Sequence, residues 1–233
     1  MPVIAGTQFY VPENGTLQEA CNAENRQDVE HLFRYSMAWF ELQGIAIANV
    51  ANPRKPVVWD LGCGAGYGAN ILADYIGEVN VLAIDKDHKA TAYGRSHYHR
   101  HNTLHLPDDL DIEPLRHVPE SHRQPSLITC FELLQYLSHR ELFLEALARE
   151  VDNGAFLMLS TPHTAHEHNM YTPVDGAKFY YNEDTLMRLL ERFFGRVTRC
   201  GEGDDYDWEY KQTVESVVQD YSLGGNLIYC QKG

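Results

Sequence analysis

The stretch that decides the fold lies at residues 57–68 and reads VVWDLGCGAGYG. Its apolar start at residues 57–59 is typical of a buried strand, and Pro56 separates this run from the segment before it. Four glycines follow Asp60 at every second position, and glycine lets a backbone turn tightly and approach a ligand closely. A strand that enters such a turn and leaves as a helix predicts a ligand site at the carboxyl end of that strand.

Beyond this turn, short apolar runs alternate with longer helical patterns, which is typical of βαβ units on a parallel sheet. The sequence therefore predicts an α/β fold with seven strands, mostly parallel, and helices on both faces. The predicted strands cover residues 57–60, 79–84, 103–106, 126–130, 155–160, 197–200 and 226–230, and the last two can form an antiparallel pair. The predicted helices cover residues 67–76, 87–98, 138–150 and 183–193, with Ser138 as the N-cap of the third and Glu141 as its capping-box partner.

The chain divides into two predicted parts. Residues 1–52 form an N-terminal extension whose amphipathic accessory helix, at residues 25–48, is expected over the active site. Residues 53–233 form the main domain, with insertions at 161–182 and 203–225. The first insertion is longer than ordinary connections, and loops of that length are usually functional, so it is a candidate substrate lid.

Composition restricts the function classes. A formal net charge of -14 over 233 residues disfavours a nucleic-acid or anionic membrane partner. No apolar run approaches the roughly 18 residues of a membrane-spanning helix, and no secretory leader is visible. The five scattered cysteines fit neither a disulfide framework nor a zinc site. These features predict a soluble cytoplasmic protein that binds neither nucleic acid nor a membrane, and they leave a homodimer open.

An acidic residue ends the second predicted strand, as expected of a site that binds a ribose. Asp85 lies 25 positions after Asp60, and its carboxylate can accept hydrogen bonds from both ribose hydroxyls. Dinucleotide-binding proteins carry the equivalent acid about 20 residues on, so this spacing does not by itself separate nicotinamide cofactors from S-adenosylmethionine.

The details of the motifs make that distinction. The segment DLGCGAGYG at residues 60–68 resembles the first motif of class I S-adenosylmethionine-dependent methyltransferases, and VLAID at 81–85 resembles their second. LITCFELLQYL at 127–137 and LMLSTPH at 157–163 are similar to the family's fourth and fifth strands with their following turns. The N-terminal region is similar to a bacterial subset that modifies sugars and secondary metabolites.

The resemblance implies a Rossmann-like fold, S-adenosylmethionine as cofactor and methyl transfer to an O or N atom of a small-molecule acceptor, with a sugar or natural product expected. It implies that Asp60 orients the turn and the charged amino acid end of the cofactor. Gly62, Cys63 and Gly64 line that end, and Asp85 holds the ribose.

Further cofactor contacts are implied after the second, third and fourth strands. Lys86 follows the ribose-binding acid. Asp109 is the nearest match to the acid that meets the adenine amine, although Asp108 and Asp111 compete with it in the alignment. Phe131 is a candidate wall for the adenine or the sulfonium, with a core aromatic as the alternative.

The candidate catalytic base is a histidine at the end of the fifth strand. Methyl transfer from a sulfonium needs aligned reactants and, for a hydroxyl acceptor, a group that removes a proton. His163 directly follows that strand, and imidazole titrates near neutrality. The alternatives are solvated loop histidines, or a metal site built from His163, His166 and His168. Four other histidines, at positions 97, 99, 101 and 105, are expected on the outer surface.

No resident metal is predicted. Relatives that methylate phenolic rings carry a Glu-x-x-Glu-His pattern after the fourth strand, and here Gln135 and Tyr136 replace the acid and the histidine, both of them poor ligands for a hard cation. This departure leaves a second hypothesis open, a noncatalytic methyltransferase-like protein that binds the cofactor or regulates a partner. The acidic, aromatic run at residues 204–210 suggests a basic acceptor, with a solvated loop or dimer contact as the alternative.

Overall fold

The computed structural model describes residues 26–48, 55–74, 79–98, 100–162, 176–179, 181, 183–199 and 225–232. Seven strands form one sheet: β1 Val57–Leu61, β2 Asn80–Asp85, β3 Thr103–Pro107, β4 Leu127–Phe131, β5 Phe156–Pro162, β6 Arg196–Arg199 and β7 Gly225–Gln231. Their order is β3-β2-β1-β4-β5-β7-β6. Strands β1 to β5 pair in parallel, whereas β7 is antiparallel to both β5 and β6. The predicted Rossmann-like sheet, with its antiparallel final pair, is confirmed.

Helices cover both faces of this sheet, as predicted. They are α1 Arg26–Ala48, α2 Tyr67–Ala73, α3 His88–His97, α4 Arg140–Asp152 and α5 Glu183–Leu190, with 3₁₀ turns at Glu120–His122 and Leu134–Tyr136. One buried cluster joins α1 and α2 to one face of the sheet, and a second joins α4 and α5 to the other. Adjacent β1 residues Val58 and Trp59 contribute to opposite clusters, which is why the central strands are apolar at nearly every position. No helix within the described ranges is long and apolar enough to cross a membrane.

The predicted N-cap of α4 is wrong. The helix begins at Arg140, and His139 occupies the cap position without a side-chain hydrogen bond to the helix. Oδ1 of Asp111, in the loop after β3, accepts a hydrogen bond of 2.6 Å from the His139 amide and so holds the residue that precedes the helix. The Ser138 hydroxyl oxygen accepts a hydrogen bond from Nζ of Lys178. A contact from 28 positions upstream leaves no local pattern in the sequence.

The predicted surface position of His105 is also wrong. His105 lies on β3, is 3% exposed, and packs against the backbones of Gly66 and Gly94. A Cβ atom at either glycine would lie within 2.7 Å of its Cε1 atom. The two glycines therefore create the space that buries this ring, and burial lowers its pKa. His97 and His101 are exposed as predicted, and position 99 lies outside the described residues.

Candidate functional site

The glycine turn after β1 folds directly onto the end of β2. The amides of Gly62 and Cys63 donate hydrogen bonds of 2.8 and 3.1 Å to the carbonyl oxygen of Ile84. Gly66 then begins α2 from the left-handed region, with φ 86°, which a residue with a side chain rarely adopts. The turn thus brings its backbone to the carboxyl edge of the parallel strands, where such sheets bind their ligands.

Asp85 holds this turn against the start of α3. Its Oδ2 accepts a hydrogen bond of 2.9 Å from the Gly64 amide, and its Oδ1 accepts one of 2.8 Å from the Asp87 amide. Asp87 in turn caps α3 through the amides of Lys89 and Ala90. Burial raises the pKa of Asp85, although the two amides oppose that change. The acid that ends β2 therefore lies beside the turn, as the spacing of the two motifs predicts.

Asp60 is the most deeply buried acidic side chain of the site, with no exposed surface. Its Oδ1 accepts hydrogen bonds from the Tyr35 hydroxyl at 3.0 Å and from Oγ1 of Thr129 at 2.9 Å. Among the described residues, no atom forms a hydrogen bond with its Oδ2. Burial raises the pKa of Asp60 to about 6, while the two hydroxyls and the Ala69 amide lower it. The Ala69 amide is therefore close enough to affect this pKa, but no donor among the described residues has hydrogen-bonding geometry to Oδ2.

Tyr35 brings helix α1 into contact with this carboxylate. Its ring is 4% exposed and meets the rings of Tyr67 and Phe131 edge to face, with centroids 5.5 and 5.1 Å apart. Gly68 makes room for it, because a Cβ atom there would lie 2.0 Å from the Tyr35 Cζ atom. Gly68, at the start of α2, therefore makes space for the Tyr35 side chain from α1.

The residue before Tyr35 reaches a second carboxylate. Nη1 of Arg34 lies 3.3 Å from Oε1 of Glu132, and both side chains are largely buried. The same oxygen accepts a hydrogen bond of 3.1 Å from the Ser160 hydroxyl, and Oε2 accepts one of 3.3 Å from Nε2 of Gln135. Glu132 follows β4 with φ 56°, an uncommon conformation for a residue other than glycine. Strain of this kind often marks a functional position.

The three candidate acids after β3 have different partners. Asp108 contacts His117 at 3.0 Å and accepts a hydrogen bond from the Asp109 amide, whereas Asp111 accepts one from the His139 amide and lies 3.3 Å from Nζ of Lys178. Oδ1 of Asp109 accepts a hydrogen bond of 2.9 Å from the Asp111 amide. The Asp108 amide donates to the Asp85 carbonyl, so this turn adjoins the end of β2.

The remaining predicted residues occupy different environments. Cys63 is buried in the turn, its Sγ donates to the Gly64 carbonyl, and burial raises its pKa. Lys86 is exposed. Phe131 is buried against Tyr35, which is also the arrangement of a core aromatic. His163, His166 and His168 lie outside the described residues. No group of three or more His, Cys, Asp or Glu residues in the described ranges is arranged to hold a metal ion.

Sequence reasoning left out Arg34, Tyr35 and Glu132. The contact between Thr129 and Asp60 can be predicted from strand pairing, because the two residues lie opposite each other on adjacent parallel strands. The docking of α1 has no comparable signal.

The arrangement suits the cofactor that the motifs imply. Its ammonium group is a donor that would satisfy a buried carboxylate oxygen such as Oδ2 of Asp60, since buried polar groups are normally hydrogen-bonded. Its ribose diol needs an acceptor such as the Asp85 carboxylate, which lies beside the turn.

Comparison with known protein families gives one match, to the family described as methyltransferase domain, over residues 58–154. A probable S-adenosylmethionine-dependent methyltransferase of Mycobacterium tuberculosis is 28% identical over 170 residues, which cover 70% of this chain and 58% of the relative. A probable methyltransferase of the same type from Mycolicibacterium smegmatis is 27% identical over 105 residues, covering 45% of this chain and 37% of the relative. The match thus spans less than two thirds of either relative.

Solved structures of methyltransferases share the fold. An S-adenosylmethionine-dependent methyltransferase from Mesorhizobium loti superposes with a TM-score of 0.53 at 18% identity, covering 76% of this chain and 92% of that one. The plantazolicin methyltransferase BamL, solved in complex with a triazolic desmethylPZN analog and SAH, gives a TM-score of 0.59 at 13% identity, covering 84% of this chain and 82% of that one. A Haloferax volcanii complex of the Trm112 methyltransferase activator with a putative methyltransferase gives 0.55 at 18% identity, covering 81% and 89%.

Proposed function

Since the chain contains a class I methyltransferase domain that uses S-adenosylmethionine, we propose that the protein methylates an O or N atom of a small molecule without a resident metal. The observation that carries this proposal is the juxtaposition of Asp60 and Asp85 at the glycine turn. One carboxylate has a buried oxygen without a donor, and the other lies beside the Gly64 amide at 2.9 Å.

Different residues of the site bind different parts of the cofactor. Asp60 accepts a hydrogen bond from the ammonium group, and the backbone of residues 62–64 lies along the amino acid end. Asp85 accepts hydrogen bonds from the ribose hydroxyls, with Lys86 exposed next to it. Asp109, whose Oδ1 accepts one hydrogen bond from the Asp111 amide, binds the adenine amine. Its competitors contact other side chains, Asp111 with Lys178 and Asp108 with His117. Phe131 supports the adenine or the sulfonium from the end of β4.

When bound, S-adenosylmethionine supplies an electrophilic methyl group on a sulfonium. The reaction breaks the bond between that sulfur and the methyl carbon, forms a bond from the methyl carbon to the acceptor O or N, and releases a proton from the acceptor. The protein's contribution is to hold the two reactants in line and to receive the proton. We assign the role of proton acceptor to His163, which follows Pro162 at the end of β5. The lid is the part of the predicted insertion beyond β5, residues 163–182, because residues 161 and 162 pair with β7.

The acceptor is proposed to be a sugar or a natural product. A net charge of -14 gives no attraction to a polyanionic acceptor such as a nucleic acid. Among the structural neighbours, BamL is a plantazolicin methyltransferase, so this fold carries out small-molecule methylation in at least that case. The three described cysteines Cys63, Cys130 and Cys230 are unpaired, which supports a reducing cytoplasmic location.

Calorimetry with SAH on matched variants tests the cofactor site. Asp85→Asn keeps the shape of the side chain and removes its charge, so we expect SAH affinity to fall at least tenfold, about 1.4 kcal/mol. Glu145→Ala changes an exposed side chain on α4, away from the glycine turn, and serves as the control, with little loss. Unchanged SAH affinity in Asp85→Asn would contradict a cofactor site at the glycine turn.

Release of SAH from S-adenosylmethionine, measured over a set of sugar and natural-product acceptors, tests the reaction. His163→Ala should retain SAH affinity and lose turnover, and unchanged turnover would exclude His163 as the base. A protein that binds SAH but turns over none of the acceptors would favour the noncatalytic alternative.

A further inference from the structure

Tyr35 is the one ionisable side chain of α1 that hydrogen-bonds to Asp60 among the described residues. We infer that Tyr35 is a positioning residue, which fixes the orientation of the Asp60 carboxylate and keeps it ionised for the cofactor's ammonium group. This inference rests on the proposed function, because it gives Asp60 its partner, and it assigns the N-terminal helix a part in cofactor binding.

The geometry explains how the orientation is fixed. Two hydroxyls, one from α1 and one from β4, donate to the same oxygen of Asp60, Oδ1, at 3.0 and 2.9 Å. Rotation of the carboxylate would break both bonds, so Oδ2 remains the oxygen without a donor. Tyr35 is itself held in place, because its ring fills the space above Gly68 and packs against Tyr67 and Phe131.

The charge of Asp60 depends on the same hydroxyl. Burial disfavours the ionised carboxylate and raises its pKa to about 6, whereas the bond from Tyr35 lowers that pKa. The phenol remains protonated throughout, because burial and the neighbouring Asp60 raise the pKa of Tyr35 well above its ordinary value. Tyr35 therefore donates at every working pH, and losing its hydroxyl moves the pKa of Asp60 upward, towards neutrality.

Among the described residues, the other titratable groups that face Asp60 are Cys63 from the turn, Asp85 from β2 and Cys130 from β4, besides Tyr35 from α1. Burial raises the pKa of both thiols, so they stay neutral near pH 6. Asp85 is the remaining group whose ionisation affects Asp60. Tyr35 donates to Asp60 and forms no described hydrogen bond with Asp85, so its substitution reports on Asp60.

The test is SAH affinity, measured by calorimetry from pH 5.5 to pH 8.5, in the wild type and in Tyr35→Phe. Phenylalanine keeps the ring contacts and removes only the hydroxyl. We expect the pH at which affinity falls to rise by about one unit, the effect of one lost hydrogen bond to a carboxylate. The variant should bind about fivefold more weakly at pH 6 and within twofold of the wild type at pH 8.5.

Two further variants calibrate the result. Thr129→Val removes the other donor to Oδ1 and should move the midpoint in the same direction. Tyr93→Phe removes a phenol hydroxyl on α3, where the ring stacks on His97, and should leave the midpoint unchanged. A ¹³C titration of the Asp60 carboxyl in protein without cofactor should give the same upward change for Tyr35→Phe.

The outcomes separate this inference from the proposed function. If Asp60→Asn leaves SAH affinity unchanged at every pH, the assignment of Asp60 to the cofactor fails. If Asp60→Asn weakens binding but Tyr35→Phe has the wild-type midpoint, the cofactor site stands and the role of Tyr35 is overturned. An equal loss of affinity in Tyr35→Phe at all pH values would show a packing role only, and would also overturn the inference.

Discussion

Two buried carboxylates at the carboxyl edge of the sheet have opposite kinds of partner. Glu132, after β4, lies 3.3 Å from the Arg34 guanidinium and also accepts hydrogen bonds from Ser160 and Gln135. Asp60, in β1, accepts hydrogen bonds from two neutral hydroxyls at Oδ1, and its Oδ2 has no donor among the described residues. The adjacent α1 residues Arg34 and Tyr35 supply one partner to each carboxylate.

This difference separates a structural carboxylate from one that is available to a ligand. Glu132 has a cation supplied by the protein, so its burial is compensated before anything binds. Asp60 is buried with hydrogen bonds alone, which leaves its charge partly uncompensated and raises its pKa to about 6. In the proposed function the cofactor's ammonium group supplies the compensating charge, and the free energy of its binding includes relief of that cost. The following substitutions act on one carboxylate or the other.

Removing the cation from Glu132 should have the largest effect. Arg34→Met keeps much of the volume but leaves the buried Glu132 without the guanidinium, and breaking a buried ion pair in this way costs about 3 to 5 kcal/mol. Urea unfolding at pH 7 measures the change. The double variant Arg34→Met with Glu132→Gln should recover a large part of the loss, and a double-mutant cycle without coupling would contradict the pairing.

Steric crowding of Tyr35 should disturb its hydrogen bond to Asp60 while leaving the ion pair between Arg34 and Glu132 in place. Gly68→Ala places a Cβ atom 2.0 Å from the Tyr35 Cζ atom, and overpacking of this kind costs about 1 to 3 kcal/mol. We expect a stability loss of about 2 to 3 kcal/mol in urea unfolding, together with weaker SAH binding.

Gly44→Ala, on the same α1 helix, is the matched control, because a Cβ atom there meets nothing within 4 Å. It should retain SAH affinity and gain slightly in helix stability. Equal stability of Gly68→Ala and the wild type would mean that Tyr35 does not occupy the space above Gly68.

Part of the fold and of the candidate site can be predicted from the sequence. Asp60 and Asp85 end or nearly end adjacent parallel strands, and such strands bring their carboxyl ends to one edge, so motif spacing alone places the two acids together. The seven strands follow from the alternation of apolar runs and helical patterns. The roles of Tyr35 and Arg34 depend on how α1, which ends at Ala48, docks against the sheet, which no local pattern encodes. The bond from His139 to Asp111 and the burial of His105 likewise arise from contacts between distant segments.

Neutralising Asp60 should stabilise the fold while weakening cofactor binding. The pKa of Asp60 is about 6 in the folded protein and about 3.9 in an unfolded chain, so its protonation favours folding. This contribution is fully present below about pH 4 and is lost as the pH rises through 6. Asp60→Asn should therefore raise the free energy of unfolding at pH 8, measured in urea, by about 2 kcal/mol. Its stability should also differ less between pH 5 and pH 8 than that of the wild type. A destabilised Asp60→Asn protein at pH 8 would contradict the uncompensated charge.

Asp111 is a third carboxylate, whose contribution to stability has the opposite pH dependence to that of Asp60. Its substitution should have the smallest effect. Burial tends to raise its pKa, but hydrogen bonds from the His139 and Ser138 amides and from Lys178 lower it well below the ordinary value. Its contribution to stability is therefore present above about pH 4 and is lost as the pH falls below that, the reverse of Asp60. Asp111→Ala removes the acceptor of hydrogen bonds from the His139 amide and Lys178 and should cost about 1 kcal/mol at pH 7 in urea unfolding. Ser138→Ala, at the position that the sequence favours for the cap, should cost less than half as much, and a larger loss in Ser138→Ala than in Asp111→Ala would restore Ser138 as the cap.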